Sequence, residues 1–324
     1  MQRRQLLLAT GLALPWRAFA QADWPNRPVK IVVNGGPGAP GDYTARVLAE
    51  GFAKAFGQPF IVENRPGANG ILGTEYAVRQ PADGYTLLLT FTAAQVVNPA
   101  IYDNLKYDGV RDFTPIAQIG SGGNILVVPT RVPARDLGEF VAYLQAHKDQ
   151  PLSYGSWGVG SGGHLSMEAL LQKTGQHMTH VPYRTMGNAV TDLGAGRLDC
   201  AFLQPATAKP LIEKGVVHPI AISGPTRHRD FPEVKTMTEQ GVPFELASWY
   251  GLFAPGKLAP AIVQKLNTEV RRELALPELQ DKWPRMGFTD FPQKSAEEFG
   301  EMVKRDARSW AEVARRGNIK VKSE

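Results

Sequence analysis

From Val29 onward the chain repeats one unit: a short apolar run, a glycine-rich turn, then a helical pattern. VKIVV (29–33), PFIVE (59–63) and YTLLLTF (85–91) read as strands, and the segments between them carry helical periodicity. In 42–57, Ala45, Leu48, Phe52 and Phe56 recur at helical spacing, Asp42 is placed to cap the start and Gly57 to end it. A second helix is expected from about Ile71. The pattern restarts at NILVVPT (124–130), with a helix over 134–147 capped by Asp136. Strands follow at LSYGS (152–156), MTHVPYR (178–184), DCAFLQP and VHPIAISG. Strand, loop and helix in alternation define an α/β fold with largely parallel sheets.

Two such units of about a hundred residues each stand in tandem. The tail that follows FELASWYGLFAPG (244–256) is too small and too amphipathic to fold alone. Its last helix opens on Ser295 and Glu298, the spacing of a capping box, and Phe299, Met302, Val303, Trp310 and Val313 form an apolar stripe. The tail is expected to return to the first unit, so lobe 1 comprises 21–122 and 250–324 and lobe 2 comprises 123–249. Chain crossings fall near Gly120–Gly123 and Ser248–Gly251, with a cleft between the lobes. Gly120, Gly122 and Gly123 are expected to give the first crossing hinge freedom.

Four loops share one design, each following a strand and preceding a helix: GGPGAPGD (35–42), NRPGANG (64–70), GSWGVGSGG (155–163) and RTMGN (184–188). Such loops lie at the carboxyl ends of the strands, where ligands bind. Glycines let backbone N–H groups approach a ligand, and helix N-termini add unpaired N–H groups and partial positive charge. Gly38, Ala39, Gly70, Ser156, Ser161 and His164 are thus candidates to hold a small organic anion, two loops from each lobe facing across the cleft.

Other chemistries fit less well. No lysine follows the glycines at 155–163 as a phosphate loop requires. Gly158, Gly160 and Gly163 match the spacing of a dinucleotide fingerprint, but no clear acidic ribose partner follows. A G-x-S-x-G nucleophile elbow and an H-E-x-x-H zinc pattern are absent, so neither a catalytic residue nor a metal or other cofactor is expected. His164, at a helix start, reads as a capping or hydrogen-bonding residue. Asp192 and Asp199 read as cap and turn residues. An exported enzyme using His164 as base would need a nucleophile that the sequence does not supply.

Residues 1–20 read as an export signal: a basic MQRR start, the apolar LLLATGLAL, and AFA before Gln21. Arg3-Arg4 leaves both the Sec and the Tat route open. Cleavage removes three arginines and no acid, so the formal charge drops from +5 to +2. No basic run remains to suggest a nucleic-acid partner. The single cysteine, Cys200, lies in the apolar run CAFL and reads as a buried small hydrophobe. A periplasmic monomer without disulfide or lipid anchor is expected.

From about Trp24 to the end the chain resembles the Bug family, the periplasmic solute receptors of tripartite tricarboxylate transporters. The resemblance rests on ENRPGANGILGTEYAV, PADGYTLLL, NPAIY, the G-S-x-G-x-G-S-x-x-H-L run at 155–165, HVPYR with a downstream TDL, and SWYGLFAP, in this order. It implies a two-lobed periplasmic-binding-protein (Venus flytrap) fold, each lobe a mixed sheet flanked by helices. It implies a small carboxylate ligand, no enzyme activity, and membrane permease subunits as partners. A sensor handing its liganded form to a signalling protein would use the same binding physics.

On this resemblance the ligand-binding set extends to Pro40 and Asp42 in the first loop and Asn69 in the second. Thr90 and Thr92 join it at the end of the third strand, with Gly160, Tyr183, Arg184 and Gln204 from lobe 2. The chain departs from the family pattern at Asn34, Gly35 and Ala39 after the first strand, at Thr185 and Asn188 after the tyrosine–arginine pair, and at Leu203-Gln204. These changes touch the cradle and the pocket wall, and so bear on which carboxylate is bound.

Overall fold

A computed structural model describes residues 24–183, 185–244, 247–277 and 288–321. The expected export signal and Arg184 lie outside the described residues.

The first lobe opens with β1 (Val29–Val33), α1 (Pro40–Phe56), β2 (Phe60–Asn64), α2 (Ile71–Val78) and β3 (Thr86–Phe91). A π-helical turn (Ala93–Val97) and the short α3 (Asn98–Ile101) lead to β4 (Phe113–Gly122). The second lobe contains β5 (Ile125–Pro129), α4 (Leu137–Ala146), β6 (Ser153–Ser156), α5 (Gly162–Thr174), β7 (Thr179–Pro182), α6 (Met186–Gly194), β8 (Cys200–Leu203), α7 (Pro205–Glu213) and β9 (Val217–Ile222). The chain then returns to the first sheet through β10 (Ser248–Pro255) and ends in α8 (Pro260–Leu274) and α9 (Ala296–Arg316).

The sheet orders are β2-β1-β3-β10-β4 and β7-β6-β8-β5-β9. In each, three strands run parallel and one antiparallel strand is inserted beside them: β10 in the first, β5 in the second. Both inserted strands follow a crossing between lobes. The two lobes are thus built to one plan, with mixed sheets flanked by helices.

Alternation along the strands explains the unbroken apolar runs. Ile31, Val33, Leu87 and Leu89 face a core shared with α1 and α8, whereas Val32 and Leu88 face one shared with α9. The second sheet sends Leu126 and Val128 to one side, Ile125 and Val127 to the other. A strand buried on both faces needs apolar residues at every position.

Helix ends follow local chemistry. Asp136 Oδ1 accepts from Glu139 N at 2.8 Å, and Ser295 with Glu298 forms a full capping box. Gly57 closes α1 in the left-handed region at φ 68°. Asp42 does not cap α1 as expected. Pro40, which suits a first helical turn, starts the helix two residues earlier, and the Asp42 carboxylate folds back to accept from Gly38 N at 2.9 Å.

In α9, Phe299, Met302, Val303 and Trp310 are buried against lobe 1, and Val313 is partly buried. The same helix also grips lobe 2, because Gln172 Nε2 donates to Val313 O at 3.0 Å. Among the described residues no helix is long and apolar enough to cross a membrane. Cys200 is buried and unpaired, and burial holds its thiol protonated.

Candidate functional site

The carboxyl ends of both sheets face a cavity of about 280 Å³ between the lobes. Four of the expected residues line it: Asn69 and Thr92 from lobe 1, Ser161 and Gln204 from lobe 2. The others described stand behind its wall or beside it.

The 155–163 loop is held by a network in that second layer. Ser161 caps α5, its Oγ accepting from His164 N at 3.4 Å. Gly160 adopts φ 75° and its N–H donates to His164 Nδ1 at 3.0 Å, which leaves the His164 proton on Nε2. The His164 ring stacks on His180 with centroids 3.8 Å apart, and Ser156 Oγ lies 2.7 Å from His180 Nε2. Ser156 Oγ also donates to Gly158 O at 3.0 Å. His164 therefore orients the loop and does not line the cavity. Gly160 packs on lobe 1, since a Cβ there would fall 2.3 Å from Ile101 Cδ1.

This buried pair makes stability depend on pH. Burial, with the neighbouring His180, pushes His164 down to about 3, and burial pushes His180 down to about 4. Unfolded histidines take up protons near pH ~6.5. Between the two limits the unfolded chain binds more protons, so stability is complete above pH ~6.5 and is lost as pH falls toward the folded values. The urea midpoint is expected to fall steeply from pH ~6.5 to ~4. His180→Gln should flatten that slope, and an unchanged slope would show that the pair does not carry it.

The lobe-1 candidates are mostly committed to the protein. Thr90 Oγ1 accepts from Asn34 Nδ2 at 2.7 Å and is fully buried. Gly70 packs against Asn34, Phe91 and Ala94, where a Cβ would find no room. Gly38, Ala39, Pro40 and Asp42 form the start of α1 and do not line the cavity. They meet it only through Gly41, whose missing Cβ would lie 2.9 Å from the Tyr250 ring. In lobe 2, Tyr183 O–H donates to Asp192 Oδ2 at 2.6 Å, so Asp192, inside α6, is a tie and not a cap. Asp199 Oδ2 accepts from Ser153 N at 2.7 Å.

Several lining residues were not anticipated. Gly122, Gly123, Asn124 and Ser248 come from the interlobe crossings themselves. Trp157, Tyr250, Phe288 and Trp310 supply aromatic walls. Gly120 and Gly122 lie within β4, and a Cβ on Gly123 would fall 1.5 Å from Ser223 O. Gly123 permits close approach of the first crossing to the end of β9, and none of the three has a positive φ.

The donors converge on Gly162, the first residue of α5. A Cβ there would lie 3.1 Å from Ser248 Oγ, 3.3 Å from Asn124 Nδ2 and 3.5 Å from the Trp157 ring. Asn124 is 5 % exposed, and its side chain, like that of Ser248, has no hydrogen-bond partner among the described residues. The first N–H groups of a helix have no intrahelical acceptor. The combination is an anion site at a helix N-terminus, between two lobes. Among the described residues no cluster of His, Cys, Asp and Glu is arranged to hold a metal.

Fold and cavity together define a two-lobed solute-binding protein of the periplasmic-binding class. Residues 44–318 match the model of the tripartite tricarboxylate transporter family receptor, and the chain belongs to that family. It is 32% identical to the UPF0065 protein of the tcbD-tcbE intergenic region of Pseudomonas sp. strain P51, covering 88% of this chain and 86% of that one. It is 30% identical to protein BugT of Bordetella pertussis over 98% of this chain and 97% of BugT. Among solved structures it is similar to Rpa4515 of Rhodopseudomonas palustris with adipate (TM-score 0.77, 31% identity, covering 93% of this chain and 100% of that one). It is also similar to MatC of the same organism with bound malate (TM-score 0.72, 31% identity, 90% and 99% covered).

Proposed function

We propose that this protein is a periplasmic receptor that captures a small organic carboxylate between its lobes. It then delivers the ligand to the membrane permease subunits of a tripartite tricarboxylate-type transporter. The observation that carries this reading is the convergence of uncommitted donors on Gly162, where the α5 N-terminus meets Asn124 and Ser248 from the two crossings. Similar proteins solved with adipate and malate support the ligand class.

Ser161 and Gln204 line the cavity from lobe 2, Asn69 and Thr92 from lobe 1. Only the closed arrangement brings both sides to the ligand, and that differential contact is what shifts an open–closed equilibrium toward closure. The chain works as a binder and not as an enzyme, because His164, the one histidine of the loop, is spent on Gly160 and His180.

The test is a thermal-shift screen with mono-, di- and tricarboxylates against neutral sugars. A ligand that binds only the native state raises its stability, by about 2.7 kcal/mol at a hundred times Kd. At least one carboxylate is expected to raise Tm and to be recovered chemically unchanged. A shift with sugars alone would overturn the reading, and turnover abolished by His164→Ala would replace it with the enzyme one.

A further inference from the structure

The N-terminus of α5 faces the cavity, while one side of the helix is fastened to the other lobe. Leu165 is 1 % exposed and belongs to a lobe-1 core, together with Val97, Ile101 and Trp310. Val159 packs on the same core. Gly160 lies so close to it that a Cβ would fall 2.3 Å from Ile101 Cδ1 and 3.7 Å from Val97 Cγ1. Lobe 2 thus sends a plug, 159–165, into a socket on lobe 1.

The same side of α5 continues along α9. Leu165, Glu168 and Gln172 are spaced i, i+3 and i+7, which sets them in one row. A Cβ on Gly317 would lie 3.0 Å from Glu168 Oε2, and Gln172 Nε2 donates to Val313 O at 3.0 Å. Val313 packs on cores of both lobes. The chain beyond α9 is bound to the socket itself, because Val321 N donates to Ile101 O at 2.8 Å.

The socket is braced. Val97 ends the π-helical turn and Ile101 ends α3. Tyr107 O–H donates to Ala94 O, and Gln95 Nε2 donates to Gly109 O. A Cβ on Gly109 would fall 1.7 Å from Gln95 O, so the loop beneath is pressed against the turn. A close-packed socket of this kind does not deform gradually, and the plug is either seated or withdrawn.

Resting on the receptor reading above, we propose that the α5–α9 seam and its plug form a latch that holds the lobes closed without ligand. The anion site at Gly162 is then assembled before the anion arrives. Parting the lobes withdraws Leu165 from the lobe-1 core and breaks the Gln172 bond. The apolar surface exposed by that motion favours the seated state whether or not the cleft is filled. Without such a seam, ligand contacts alone would have to close the lobes. Here they add to a bias already present, and the apparent affinity scales with the fraction of molecules that are latched.

The experiment is small-angle X-ray scattering of the full mature chain, stripped of bound acids by unfolding in urea and refolding. Unliganded wild type is expected to be as compact as wild type saturated with whichever of adipate, malate, benzoate and citrate raises its Tm most. Leu165→Ala/Gln172→Ala is expected to be larger without acid and to return to the wild-type radius when saturated. It should bind the same acid about tenfold more weakly. Leu170→Ala is the control, since Leu170 is buried in a lobe-2 core. It should lower Tm and leave the unliganded radius unchanged. Compaction of wild type on adding the acid would overturn the latch, as would an unliganded double variant no larger than wild type. If the double variant does not fold, Gln172→Ala alone, at a half-buried position, decides in the same way. The unliganded measurements need no bound acid. A wild type more compact than its variant that responds to no carboxylate would therefore keep the latch and remove the carboxylate reading.

Discussion

Trp249→Ala is expected to cost about 4–5 kcal/mol of stability, the sum of a large-to-small core change and an orphaned buried partner. Trp249 is 1% exposed and meets Phe299 edge-on at 5.6 Å. Its Nε1 donates to Asp306 Oδ2 at 2.9 Å, and its backbone is bonded both ways to Thr92. One residue thus joins the crossing strand, the end of β3 and the last helix, and it also lines the cavity. Without the indole, Asp306, 7% exposed, loses its closest donor, and burial already raises its carboxyl above the usual range. Urea unfolding measures the loss. Asp306→Asn, which keeps the shape, should recover most of the stability of wild type. A loss below ~1.5 kcal/mol for Trp249→Ala would show that the site is loosely packed.

Gly123→Ala is expected to cost about 3 kcal/mol or more and to remove ligand binding. The added methyl would fall 1.5 Å from Ser223 O and 2.7 Å from Ile222 Cγ2. Asn124 N donates to Ser223 Oγ at 2.9 Å, and Ser223 N to Asn124 O at 2.9 Å, so the first chain crossing is clasped to the end of β9 at this point. Relieving the clash separates them and carries the Asn124 amide away from Gly162. Gly36→Ala provides the control, since no atom lies within 4 Å of the added methyl and its φ is not positive. Gly36→Ala should match wild type in unfolding midpoint and in affinity. Equal stability of Gly123→Ala and wild type would contradict the clasp.

The strand–loop–helix grammar was readable because buried parallel strands must be apolar at consecutive positions, as VKIVV and YTLLLTF are. Asp136 and Ser295 were readable as caps because capping acts within three residues. What the local pattern misread has local causes too. Asp42 looked like a cap, but Pro40 begins α1 sooner. Helix α7 carries Pro205 and Pro210, which hide its periodicity, although proline at a first helical turn is itself a start signal.

The cavity was less readable than the fold. Ser161, His164 and Gly160 stood out because glycine and serine cluster before a helix. Whether each faces the ligand or the layer behind it depends on packing with Ile101 and His180, which are distant in sequence. Asn124 and Ser248 carry no motif at all. They matter because both crossings pass under the cleft and bring their side chains to the same α5 N-terminus, a convergence set by topology. SWYG at 248–251 held the one usable signal, three bulky or polar residues just where the chain was expected to cross.

The most direct test of an anion held between the lobes at Gly162 is a titration, followed by tryptophan emission, with a carboxylate that raises Tm in the thermal-shift screen. Trp157, Trp249 and Trp310 line the cavity, whereas Trp24 is buried against Phe56 and Tyr85 in the lobe-1 core. Wild type is expected to show a saturable change in emission with one site per chain, and Gly162→Ala to show that change only at about tenfold or higher concentration of the carboxylate. An emission change of equal midpoint in both proteins would place the ligand elsewhere and contradict the interlobe site.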